Sequence, residues 1–179
     1  AALGIMPISV SALVGLGLMI VTGCLSWRDS VSALSIPVIM IIVTSLALGK
    51  ALVETGMAAY IAHSFLAAVS ALPVPYILSS FMLLMTILTN IVSNNAAAAI
   101  GTPIAISIAQ ELGVGPEPFI LAVLFGANMS FATPYGYQTN LLVMSAGGYK
   151  FSDFLRVGIP LTVIMWIGFS IVLPMLYQL

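Results

Sequence analysis

The chain has 179 residues, 61% of them hydrophobic and only 5% charged, with a formal net charge of −1 and a mean hydropathy of +1.22. A soluble domain carries about 25% charged residues, so this composition excludes an ordinary soluble core, and the lack of a basic patch excludes a nucleic-acid surface. A single cysteine, Cys24, and a single histidine, His63, exclude an internal disulfide and leave no ligand set for a zinc-type site.

The apolar runs are long and do not alternate at period two, which predicts an all-α integral membrane protein rather than a barrel. Residues 6–25 read as a first span and residues 34–49 as a second. Pro37 falls in the second span's first turn, where a missing N–H is tolerated. Trp27, Arg28, Asp29 and Ser30 make the interfacial loop between them, and Lys50, Glu54 and Gly56 end the second span. Residues 57–71 are too short to cross at about 1.5 Å per residue. Pro73 and Pro75 stop them, so they read as an arm helix along the membrane surface, with Glu54 and His63 on opposite faces.

The next stretch organises the chain. Asn90, Ser93, Asn94 and Asn95 interrupt an apolar region that has no Asp, Glu, Lys or Arg from Thr55 to Gln110. Unpaired amides and hydroxyls in hydrocarbon cost roughly 2–7 kcal/mol each, so these groups need partners. Residues 76–92 and 96–110 flank the break as two helical arms. The second arm would reach only roughly 22 Å, short of a ~30 Å hydrocarbon core. That predicts a re-entrant helical hairpin with its tip near mid-depth.

Residues 111–118 form a loop. Residues 119–131 and 141–146 read as two half-helices separated by a second polar break at 132–140, where Pro134 and Gly136 unwind the backbone. Residues 147–150 turn the chain. Ser152 caps a short lead-in helix, and residues 158–178 are the last span. Counting crossings places Arg28, Lys150 and Arg156 on one side and Lys50, Glu54, Glu111 and Glu117 on the other. The basic excess makes the first side cytoplasmic, so the hairpin opens outward. The chain begins at Ala1 with no basic leader, which reads as a fragment or one half of a larger protein.

The two breaks read as two walls of one binding site. A helix C-terminus presents carbonyls and an N-terminus presents N–H groups, each with about half a charge. At the first break, arm 76–92 delivers carbonyls and arm 96–110, with Asn94 or Asn95 as N-cap, delivers N–H groups. At the second, 119–131 delivers carbonyls and 141–146, capped by Thr139 or Asn140, delivers N–H groups. Carbonyl ends suit a small cation and N–H ends an anion, the arrangement of an ion-coupled secondary transporter. Asn94 could offer an oxygen to a cation and N–H groups to an anion at once. Asn90 reads equally as a link between helices or as part of the site, and Asn128 equally as packing or as site. Gly15, Gly17 and Gly23 read as packing positions, and His63 as a surface residue. An intramembrane protease would need a Ser–His dyad or paired Asp residues, which the positions of His63, Asp29 and Asp153 do not provide; no enzyme is expected. A channel would call for symmetric rings of carbonyls or charges, and no such motif is seen.

Ser93-Asn94-Asn95, followed by small residues and Pro103, resembles the Ser-Asn-Thr hairpin tip of the divalent anion/sodium symporter family. Ala132-Thr133-Pro134 before Asn140 resembles that family's second break, and the order of elements matches over nearly the whole chain. The resemblance implies a C-terminal half of an elevator carrier, with an inverted repeat in the N-terminal half and a homodimer held by scaffold spans. Residues 1–72 would be scaffold and arm, and 73–179 the transport part. Carried over, Ser93, Asn94, Asn95, Thr133 and Pro134, with Asn140, would touch the substrate. Thr89, Val92, Asn94 and Ala132 would hold a sodium ion, with a proton as the alternative coupling ion. Asn95 replaces the family threonine, and Tyr135–Thr139 lengthens the usual interval before Asn140. Both departures point to the sulfate-type branch rather than the di- or tricarboxylate one. The implied protein is a multi-pass carrier of the cell (inner) membrane, in contact with lipid. The alternatives are another carrier of the ion-transporter group (arsenite efflux or sodium/proton antiport) or an anion channel.

Overall fold

A computed structural model describes residues 8–32, 36–69 and 71–179, and among these no strand occurs. The described helices are α1 (Ile8–Val21), α2 (Trp27–Ser32), α3 (Ile36–Glu54), α4 (Met57–Val69), α5 (Val74–Thr89), α6 (Asn94–Leu112), α7 (Glu117–Asn128), α8 (Gln138–Gly147) and α9 (Phe151–Tyr177). The chain divides into two compact units, residues 1–41 and residues 42–179. The first contains α1, α2 and the start of α3; the second holds everything that bears on function.

Several boundaries differ from the sequence expectation. The first span was expected at 6–25; residues 6 and 7 lie outside the described residues, and α1 stops at Val21. Trp27 to Ser30, expected as loop, are helical. Residues 34 and 35, expected to open the second span, lie outside the described residues, whereas α3 carries on through Lys50 to Glu54. Lys50 does not end the helix; it pairs one turn on with Glu54, the last residue of α3, at 3.6 Å. After a turn at Thr55 and Gly56, α4 leaves at 71° to Ala47–Glu54.

The hairpin also differs. Its break is Asn90–Ser93, and Asn94 and Asn95 already belong to α6. Helix α6 has 19 residues, about 28 Å at 1.5 Å each. It is longer than the arm expected because Asn94 and Asn95 open it and Glu111 and Leu112 continue it to Gly113, whose φ of 67° closes the helix in the left-handed region. The length argument for re-entry therefore rests on α5, with 16 residues, rather than on α6. Helix α7 ends early at Asn128, and α8 begins early at Gln138, so the second break is 129–137. The lead-in helix and last span are one helix, α9, of 27 residues. Ser152 is not its cap: Asp153 accepts the Lys150 N–H through Oδ2 at 2.8 Å. Pro160 lies ten residues into α9 without ending it.

In the second unit α5, α6 and α7 pack on one another, α4 packs against α6, and α9 against α5 and α7. Phe81, Met82, Met85, Ile108, Phe119 and Val123 form the centre of this core. The expected surface arm is thus partly a packing helix, burying Ala58 and Ala62. Glycine sets the closest approach. A Cβ on Gly126 of α7 would lie 2.9 Å from the Met82 carbonyl oxygen of α5 and 2.7 Å from Met85 Cβ, so the two helices meet backbone to side chain. Helix α9 is fixed to α5 by a 2.6 Å hydrogen bond between the Ser79 and Ser170 hydroxyls and by Trp166 Nε1–H donating to Ser79 O at 3.0 Å. It is fixed to α7 by Phe169 stacked on Phe125, ring centres 4.0 Å apart.

Helix α9 is long and apolar enough to cross a membrane. Ile159, Val163, Ile164, Ile167, Ile171 and Val172 are all exposed on it. In water so large an apolar face would be a liability, whereas hydrocarbon suits it.

Gly158 is where α9 meets the second break: a Cβ there would run into the carbonyl of Phe131 and into Ala132 Cα. Gly158→Ala should therefore cost about 1–3 kcal/mol through overpacking. Gly168→Ala, where a Cβ meets nothing within 4 Å, should be neutral or stabilise by about 0.5–1 kcal/mol through helix propensity. Thermal unfolding of the two variants measures the difference, and equal midpoints would refute the close contact.

Candidate functional site

The two breaks are in contact. Thr89, the last residue of α5, is fully buried at 0% exposure. Its Oγ1 lies 2.7 Å from the Ala127 carbonyl oxygen near the end of α7 and 2.7 Å from the side-chain amide of Asn94. A carbonyl can only accept, so the single hydroxyl proton goes to Ala127 O and Asn94 must turn its nitrogen toward Thr89. The same Nδ2 then sits 2.8 Å from Gly136 O in the second break, and Oδ1 accepts from Ser130 Oγ at 3.2 Å. The Asn94 backbone N–H also donates to Gly136 O, at 3.2 Å. Both amide hydrogens of Asn94 are thereby spent on the protein, and its oxygen, which accepts from Ser130, has one further lone pair.

Gly136 sits against α5: a Cβ there would lie 2.6 Å from Thr89 O and 2.8 Å from Ser130 Cβ. Only a residue without a side chain permits this approach. Pro134 beside it is buried.

Asn90 bridges the breaks a second time. Its Nδ2 donates to Thr86 O at 2.8 Å and to Met129 O at 3.0 Å. Its Oδ1 accepts the Ala132 N–H at 3.1 Å, and its backbone carbonyl accepts the Thr133 hydroxyl at 2.8 Å. The reading of Asn90 as a link between elements holds; Asn128 instead turns back on its own helix, donating to Leu124 O at 2.7 Å.

The expected residues divide into two groups. Thr89, Asn94, Ala132, Thr133 and Asn140 are tied into the joined breaks. Asn140 Nδ2 donates to Ser130 O at 2.8 Å and to Thr133 O at 3.3 Å, and Asn140 lines a cavity of about 400 Å³ with Phe131, Val143, Phe154 and Gly158. Ser93 and Asn95 are exposed, and Val92 packs against the core. Ser93, not Asn94 or Asn95, is the N-cap of α6, accepting the Ala96 N–H at 3.3 Å. An N-cap needs extended backbone, and Ser93 has it at φ −68°, ψ 151°. Helix α8 likewise starts after Tyr137 with no side-chain cap, not at Thr139 or Asn140. Ser130 and Ala127 escaped the sequence reading; a serine and an alanine one turn from a helix end carry no signal by type.

The site is held by amides, hydroxyls and carbonyls. Among the described residues no group of three or more His, Cys, Asp or Glu could hold a metal ion, so any cation here would rest on neutral oxygens, which suits a hard monovalent ion better than a transition metal.

Compared with known protein families, residues 1–179 match the model described as citrate transporter. The chain belongs to that family. Its members are transporters, hence membrane proteins, and the family fits the divalent anion/sodium symporter resemblance read from the two motifs. Among similar proteins, an uncharacterized transporter of Synechocystis is 40% identical over 178 residues, covering 99% of this chain and 29% of that protein. Sodium/sulfate cotransporter 1 of Chlamydomonas reinhardtii is 33% identical over 158 residues, covering 87% of this chain and 18% of that protein. Sodium-dependent high-affinity dicarboxylate transporter 3 of Caenorhabditis elegans is 30% identical over 137 residues, covering 76% and 24%. The chain thus spans less than a third of the length of these curated relatives.

In this family member the Thr89 hydroxyl is the joint between the breaks. Thr89→Val should destabilise by about 1–3 kcal/mol, because it removes the buried hydroxyl that donates to Ala127 O at 2.7 Å and accepts from Asn94, leaving only the longer Asn94–Ala127 approach of 3.2 Å. Thr89→Ser should restore most of that. Unfolding curves of the three proteins check it, and a Val variant as stable as wild type would contradict the geometry.

Proposed function

We propose that this chain is the C-terminal half of a sodium-coupled secondary transporter for a divalent anion, with its substrate and ion held between the two joined breaks. The observation that carries the reading is the hydrogen-bonded contact of two interrupted helices. The Asn94 amide reaches Gly136 O at 2.8 Å, and the Asn90 amide reaches Met129 O at 3.0 Å. Interrupted helices of this kind gather carbonyl and N–H ends for ions of both signs. The names of relatives, sodium/sulfate cotransporter and sodium-dependent dicarboxylate transporter, support the same activity.

In this reading Thr89, Val92, Asn94 and Ala132 hold the sodium ion through hydroxyl, amide and backbone oxygens. Ser93, Asn95, Thr133, Pro134 and Asn140 face the anion, with the N–H end of α6 supplying positive potential; Asn94, expected in both sets, is kept for the cation because its amide hydrogens go to Thr89 and Gly136. The bound cation offsets the anion's charge, so each raises the affinity of the other by linkage. No charged side chain lies between Thr55 and Gln110 or between Pro118 and Tyr149, which leaves that offset to the ion. Sulfate is the favoured substrate, because Asn95 and the long 135–139 interval depart from the dicarboxylate pattern.

Residues 73–179 act as the moving part and residues 1–72 as scaffold and arm. The bonds of α9 to α5 and α7 support one rigid body from 73 onward. The rest of the reading is an elevator movement of that body against the scaffold, a matching inverted repeat in the N-terminal half, a homodimer, and several crossings of the inner membrane.

The test is uptake of labelled sulfate and of succinate by the full-length parent in vesicles, with and without an inward sodium gradient. Saturable sulfate uptake accelerated by sodium is expected; uptake unchanged when potassium replaces sodium would overturn the coupling. Asn95→Thr should shift the preference between sulfate and succinate by about tenfold, the worth of one charge-assisted hydrogen bond. The sodium dependence should stay as it was, since Asn95 is placed on the anion.

A further inference from the structure

Asn90 is the residue whose side chain does most to join the breaks while lying outside the proposed ligand sets. Helix α7 stops at Asn128, and the backbone of Met129, at φ −82° and ψ 47°, fits neither helix nor strand. Just after that stop, a carbonyl and an N–H must find partners in apolar surroundings, and Asn90 supplies both. Nδ2 donates to Met129 O at 3.0 Å and Oδ1 accepts from Ala132 N at 3.1 Å. The second Nδ2 hydrogen goes back to Thr86 O at 2.8 Å, which fixes the amide's rotation. The Asn90 carbonyl holds Thr133 by its hydroxyl at 2.8 Å.

We propose that Asn90 is a positioning residue: its carboxamide, fixed to α5, sets the backbone of Met129–Thr133 and so aims the second break at the ligand without touching the ligand itself. This rests on the transport reading for what is aimed, but the backbone role stands on the hydrogen bonds alone. The chemistry is specific to asparagine. Aspartate keeps the acceptor and loses the donor, leucine loses both, and glutamine moves the amide by one methylene. Because Ala132 and Thr133 belong to the sodium and anion sets, loosening them should raise half-saturation concentrations more than it lowers the maximal rate.

Glutamine and leucine give a comparison that a general fold defect would not mimic. Glutamine keeps both the donor and the acceptor of asparagine and displaces them by one methylene, whereas leucine, of similar size, removes both.

The experiment uses the full-length parent and its Asn90→Leu and Asn90→Gln variants. Amide hydrogen exchange is followed over 129–136 and over α5. Exchange over 129–136 should be about tenfold faster in Asn90→Leu and less than that in Asn90→Gln, with α5 unchanged. The sodium concentration for half-maximal sulfate uptake should rise several-fold in Asn90→Leu while the maximal rate changes less, and Asn90→Gln should lie between Asn90→Leu and wild type. Wild-type exchange over 129–136 in Asn90→Leu, or exchange speeded equally over 129–136 and α5, would overturn the proposal. A wild type that takes up no anion with sodium would sink the transport reading, while the exchange arm would still decide the role of Asn90.

Discussion

The structure depends on one constraint: polar groups set in apolar surroundings must find partners. Thr89, Asn90 and Asn94 end one helix and begin the next in a region without a charged residue from Thr55 to Gln110. Their partners are the groups that α7 abandons when it stops at Asn128: the carbonyls of Ala127, Met129 and Gly136 and the N–H of Ala132. Each break satisfies the other. Such reciprocity makes a buried polar network favourable, because a half-satisfied network costs more than an apolar one. Ser93 and Asn95 stay exposed outside it, at the start of α6, where the positive end of the helix dipole favours an anion.

Packing brings the breaks to this meeting point. Gly126 lets α7 lie on the Met82 carbonyl, Gly136 lets the second break lie on Thr89 O, and Gly158 lets α9 lie on Phe131. Three glycines at three crossings remove the spacing that side chains impose. Hydrogen bonds of Ser79 with Ser170 and Trp166 then hold α9 in place. Inside hydrocarbon no hydrophobic force drives helices together, so close packing and interhelical hydrogen bonds carry the association.

Much of this was legible in the residues. Helical class, the two breaks and their polar membership follow from apolar runs interrupted by Asn, Ser, Pro and Gly. The borders were not. Asn94 and Asn95 look like loop residues by type, yet Ser93 takes the cap and both join α6, because the residue with free extended backbone wins the N-cap. The α6 terminus was placed early because Gln110 and Glu111 read as the end, whereas Gly113 supplies the left-handed turn. A lead-in helix capped by Ser152 read as separate from a last span at 158–178; α9 instead runs unbroken from Phe151 to Tyr177. The direction of the Asn94 amide was hidden altogether: it is set by Ala127 and Gly136, which are distant in sequence and ordinary in type.

The account turns on both breaks forming one site. The most direct measurement places a single cysteine at Asn95 or at Tyr135, the latter 64% exposed, in a Cys24→Ser background of the full-length parent. The rate of modification by a small thiol reagent is then followed with sodium, with sulfate, and with both. The account predicts that sodium and sulfate together slow the reaction at both positions, while sulfate without sodium slows neither. Protection at one break only, or at neither, would contradict it.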